Sequence, residues 1–94
     1  MDNIENKIKY IVESITSVYV DIVPCRWGFY VNLHQVAIMK DEYKKLEKYF
    51  DIEGIHIIDG RINIEVRPYL KQEFEESDKF SWDEYLSKFN ERNN

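Results

Sequence analysis

The sequence is poor in the residues that staple, break or loosen a chain: one cysteine, two prolines, three glycines and a single alanine. A lone cysteine excludes an internal disulfide, and a reducing compartment is the expectation. Three isolated glycines exclude a phosphate-cradling loop, and no G-x-S-x-G, H-E-x-x-H or EF-hand pattern occurs. No apolar run approaches the ~20 residues of a membrane span. The first ten residues, "MDNIENKIKY", lack the apolar centre of a secretory signal. A cytoplasmic protein away from the membrane is expected.

What remains is an ordinary globular composition rich in Ile, Asn, Lys, Glu and Tyr, a usage that points to an AT-rich genome. Ninety-four residues suit a single domain, residues 1–94, with one modest core. The net charge of −5 is unevenly placed. The window 73–84, "EFEESDKFSWDE", holds six acids and one lysine, and the remaining twelve acids and twelve bases cancel.

Hydrophobic periodicity sets the elements. Ile4, Ile8, Ile11, Val12 and Ile15 form one helical stripe and predict a helix over about 3–16, with Asp2 and Glu5 as its capping box. The period then falls to two. A four-residue loop at 23–26 places Val18, Val20 and Ile22 on one face with Trp27, Phe29, Val31 and Leu33, leaving Tyr19, Asp21, Tyr30, Asn32 and His34 outward. Tyr43, Leu46, Tyr49 and Phe50 predict a helix over about 41–50, capped by Asp41. Asp59-Gly60 is a type I′ hairpin signal that sets Ile57 opposite Ile62 and Ile55 opposite Ile64, with Pro68 ending the ladder. Ser81 and Glu84 form a second capping box, and Trp82, Tyr85, Leu86 and Phe89 are expected as the buried stripe of a last helix. The expectation is an α+β, two-layer domain: an antiparallel sheet of about four strands in two hairpins, helices on one face, order αββαββα.

Candidate chemistry is sparse. Cys25 and His34 lie at opposite ends of one strand and its loop, on the order of 26–30 Å apart, too far for a nucleophile and its base. One cysteine with two separated histidines, His34 and His56, is too few for a usual zinc site. No cofactor and no metal are expected, and no enzyme.

Two surfaces are left. The acidic window with its interleaved aromatics suits a basic groove on another protein, through Glu73, Glu75, Glu76, Asp78, Asp83 and Glu84. The ordinary alternative is a solvated connector and a helix start. The outward sheet face offers Tyr19 and Tyr30, expected as cross-strand neighbours, with Arg61 and Arg67. Aromatics beside arginines on an open sheet can stack single-stranded nucleic acid. An acidic chain opposes this, and plain cross-strand pairing also accounts for the residues. The leading expectation is a small, acidic, non-enzymatic protein-binding domain. Its class is an inhibitor or antagonist of phage or mobile-element origin (anti-defence such as anti-CRISPR, or toxin immunity). A nucleic-acid module using the sheet face is the alternative, and a small enzyme or ligand binder with a hidden pocket the third.

Overall fold

The computed structural model describes residues 3–92. It is an α+β domain in the order αββαββα: α1 (Ile4–Thr16), β1 (Val20–Cys25), β2 (Gly28–Leu33), α2 (Lys40–Tyr49), β3 (Phe50–Ile58), β4 (Arg61–Leu70), a 3₁₀ turn (Glu76–Asp78) and α3 (Trp82–Arg92). The four strands form one antiparallel sheet in the order β1-β2-β4-β3.

α1 forms where the apolar stripe predicts it, and Ile8, Ile11, Val12 and Ile15 are buried. Its cap is Asn3, whose side chain accepts from the Glu5 N–H at 2.8 Å; Asp2, the expected cap, lies outside the described residues. Ser17 ends the helix in the left-handed conformation, its N–H donating to Glu13. α2 starts one residue before the expected Asp41. The Glu42 carboxylate accepts from the Met39 N–H at 3.0 Å and closes the first turn from inside.

The first hairpin keeps its expected faces and changes its register. Ile22 pairs with Val31 and Val20 with Leu33, so the loop is only Arg26-Trp27. The shift is an even number of residues, so the apolar residues keep their side. The tighter turn adds the pairs Val23–Tyr30, Pro24–Phe29 and Cys25–Gly28. Pro24 is tolerated because β1 is an edge strand. Trp27, expected in the core, is in the turn and 61% exposed, with the Arg26 guanidinium 5.0 Å from its ring.

The second hairpin has the expected register, Ile57 to Ile62 and Ile55 to Ile64. Asp59 (φ 52°) and Gly60 (φ 74°) both take the left-handed region. Nothing lies within 4 Å of a Cβ built on Gly60. Gly60→Val is therefore expected to cost backbone strain alone, about 1–2 kcal/mol, read as a lower melting temperature. β4 runs on past Pro68 to Leu70, because the register shifts between Phe50, Ile52 and Gly54 leave Pro68 where no ladder donor is required.

One core joins the helices to one face of the sheet: Ile8, Ile11, Val12 and Ile15 of α1, Leu46 and Tyr49 of α2, and Val20, Val31, Leu33, Phe50, Ile62, Ile64 and Val66. Leu70 and Phe74 pack against its margin. α1 and α2 occupy the apolar face of the sheet. Among its described residues α3 adds none to this core, and this decides where the candidate surfaces lie.

Candidate functional site

α3 forms for local reasons. The Ser81 hydroxyl accepts from the Glu84 N–H at 3.3 Å, and Asp83 and Glu84 sit in the first turn, where the helix dipole favours negative charge. The Phe80 N–H donates to the Ser14 carbonyl of α1 at 2.6 Å and moors the segment. Phe80 then stacks edge-on with Trp82 at 4.9 Å and meets Tyr85 at 6.1 Å. Beyond that mooring much of the stripe is exposed. Trp82 is 62% exposed, Leu86 50%, Phe89 55% and Tyr85 38%. This corrects the expectation that these residues are buried. Their spacing makes a sound amphipathic helix, but the fold leaves each of them more than a third exposed, outside the core that α1 and α2 build on the sheet.

Between α3 and the body lies a cleft of about 460 Å³, lined by Ile15, Met39, Glu42, Phe80, Tyr85 and Phe89. A second hollow of about 320 Å³ reaches Thr16, Val18, Ile38 and Trp82. Glu42 borders both, is 8% exposed, and burial pushes its carboxyl above the usual carboxylate range. Its capping bond to Met39 gives it a structural use already.

Because the stripe makes no core, truncation after Phe80 is expected to leave a folded domain. Its melting temperature should stay within about 5 °C of the full chain, the scale of ~1 kcal/mol in a domain this size. A truncated chain without a cooperative thermal transition would show that α3 is part of the core.

The acidic residues do not form a single free patch. Asp78 is buried and accepts from Lys48 Nζ at 2.8 Å and from the Tyr49 hydroxyl. These bonds hold its carboxyl below the usual range. Asp78, expected in the acidic contact surface, has a structural duty instead: it pins the connector to α2. The Tyr49 hydroxyl also accepts from the Glu75 N–H at 3.1 Å, and the Glu75 carboxylate lies 3.8 Å from Lys48. Glu76 lies 3.8 Å from Lys79. Glu73 and Asp83 are exposed, and Glu84 lines the cleft. Sequence gave no sign that a tyrosine and a lysine on α2 would claim Asp78, because the partners are about thirty residues away.

The open sheet face also departs from expectation. Tyr30 pairs with Val23, so Tyr19 and Tyr30 are not neighbours. Tyr19 stands edge-on to His34 at 5.0 Å, and the His34 imidazole bonds Asp21 at 2.7 Å, which lowers the Asp21 carboxyl from its ordinary value. Tyr30 stands edge-on to His56 at 6.1 Å, with Glu65 3.7 Å from that imidazole. Arg67 is engaged by Glu53 at 2.7 Å, and Arg61 sits apart beside the Asp59-Gly60 turn. Cys25 and His56 lie on opposite edge strands. Among the described residues no group of three or more His, Cys, Asp or Glu is arranged to hold a metal, and no helix is long and apolar enough to cross a membrane.

Comparison with protein-family models, curated proteins and solved structures finds no match for this chain.

Proposed function

We propose that this chain is a non-enzymatic protein-binding domain whose contact surface is α3 and the cleft behind it. The observation that carries the reading is the exposure of Trp82 and Leu86 in the stripe of an amphipathic helix, Trp82, Tyr85, Leu86 and Phe89, tied to a body whose buried core is built by the other elements. The stripe has the i, i+3, i+4, i+7 spacing by which an amphipathic helix engages an apolar groove. Aromatic anchors of this kind carry a disproportionate share of binding energy at protein interfaces. Negative charge surrounds it: Asp83 and Glu84 in its first turn, with Glu73, Glu75 and Glu76 in the segment before. The partner this suits has an apolar groove rimmed by basic side chains. Small size, an acidic balance and a binding helix held out from the core also suit an inhibitor or antagonist of the anti-defence or toxin-immunity kind. The sheet face, with Asp21, Glu53 and Glu65 set among its aromatics and arginines, suits phosphate poorly.

The test compares quantitative affinity capture by wild type, by Trp82→Ala/Phe89→Ala and by Glu73→Gln/Glu75→Gln/Glu76→Gln. Unchanged thermal melts would show that both variants fold. The aromatic variant should lose the specific partner, and the charge variant should bind more slowly with a flatter salt dependence. A partner retained equally by all three chains rules the surface out.

A further inference from the structure

The sheet has two edges, and they are treated differently. β1 is six residues long, contains Pro24, which has no N–H to offer, and has its Asp21 carboxylate engaged by His34. β3 is nine residues long, with no proline and no lysine. Natural edges are blunted by such residues because an unguarded edge is a template for another strand. The outer half of β3 is also apolar: Ile55 is 42% exposed, Ile57 63% and Ile58 49%. Ile55 and Ile57 share the face of Ile62 and Ile64, yet α1 and α2 leave them half uncovered.

The backbone there points outward. Ile62 donates its N–H to the Gln35 carbonyl at 3.0 Å, on the β2 side and away from β3. In the Ile57–Ile62 pair the two residues therefore exchange no hydrogen bonds, and Ile57 turns its N–H and C=O away from the sheet. By the same alternation Ile55, opposite Ile64, does so too.

We propose that β3 is the docking edge for a second copy of this chain, joined antiparallel across a two-fold axis at His56. In that register Ile55 of each copy faces Ile57 of the other. These are the residues whose backbone groups point outward, so four hydrogen bonds form between the chains. Gly54 opposes Ile58. Such a pairing is self-complementary, as a two-fold interface must be. Charge does not oppose the centre of the pairing: all of the excess negative charge lies in 73–84, and Gly54–Ile58 carries no formally charged residue. At each flank Glu53 of one copy comes opposite Asp59 of the other, and Arg67, 2.7 Å from Glu53, offsets that pair of acids. A five-residue ribbon buries less than the ~800 Å² per partner of a standard interface, so the dimer is weak and its hydrogen bonds set the geometry.

This surface is separate from α3, and the test keeps the two apart. Sedimentation equilibrium from micromolar to millimolar protein compares wild type, Ile57→Lys and Trp82→Ala/Phe89→Ala. Wild type and the α3 variant should dimerise as concentration rises, and Ile57→Lys should weaken dimerisation by at least an order of magnitude. Residue-resolved amide exchange on wild type should show the Ile55 and Ile57 amides gaining protection with concentration; this holds even if the lysine variant folds poorly. A wild type that stays monomeric throughout overturns the proposal. So does a dimer that leaves those two amides unprotected, or one that survives Ile57→Lys and is lost in the α3 variant.

Discussion

Gly28→Ala is expected to cost more than any other single methyl added to a glycine of this protein. A Cβ at position 28 would lie 2.1 Å from the Val66 carbonyl oxygen and 3.1 Å from the Arg67 Cα. Both obstacles are backbone atoms of β4, so no rotamer change relieves them, and β2 and β4 must move apart. That junction holds the centre of the sheet, and the pair Phe29–Val66 follows directly. Overpacking typically costs 1–3 kcal/mol, and a rigid clash of this depth belongs at or above about 3 kcal/mol. A small domain has roughly 5–15 kcal/mol in total. The melting temperature should fall by on the order of 15 °C. Gly54→Ala is the control, since its Cβ would meet only the His56 imidazole at 3.3 Å. Equal melting temperatures for Gly28→Ala and wild type would mean that the strands are not this close.

The second large effect is expected at Asp78. Its carboxylate takes a proton donor from Lys48 and another from Tyr49, a side chain with no exposed surface. Asp78→Ala removes the one oxygen that accepts both bonds and leaves the buried Tyr49 hydroxyl without its acceptor. Breaking a buried, charge-assisted network in this way costs about 2–4 kcal/mol. Asp78→Asn keeps the shape and loses the charge, and should fall between alanine and wild type. The pH dependence has a definite sign. The bonds from Lys48 and Tyr49 hold the folded carboxyl below 3.8, its ordinary value. Its contribution is therefore fully present above 3.8 and is lost as pH falls through the lower folded value. Denaturant unfolding of wild type and Asp78→Asn should show a stability gap at neutral pH that closes as the solution is acidified past that point. A gap that stays constant would mean that the charge of Asp78 plays no part.

Much of the architecture is legible in the chain because it rests on short-range rules. The α1 stripe, the period-two alternation and the Asp59-Gly60 turn each need only a few adjacent residues to be recognised. The order αββαββα and the two antiparallel hairpins follow from them. Even the mistaken loop of the first hairpin left the faces of its strands right, because a register error of an even number of residues keeps each paired side chain on its side; only Trp27, moved into the turn, lost its expected place.

The candidate surfaces depend on what packs where, and periodicity does not carry that information. Trp82, Tyr85, Leu86 and Phe89 have the same pattern as Ile8, Ile11, Val12 and Ile15. One stripe is buried and the other exposed because α1 packs into the core with α2 and the sheet, whereas the α3 residues stand outside that core. Asp78 reads as one acid among six, until the fold brings Lys48 and Tyr49 to it from α2. Ile55 and Ile57 read as partners of Ile64 and Ile62 on one apolar face, and only the strand order β1-β2-β4-β3 shows that β3 is an edge where they stay partly exposed. By itself the sequence determined which elements form and which residues share a face. Only the tertiary structure decided how far each apolar face is covered, because coverage depends on which elements the strand order and the connections bring together.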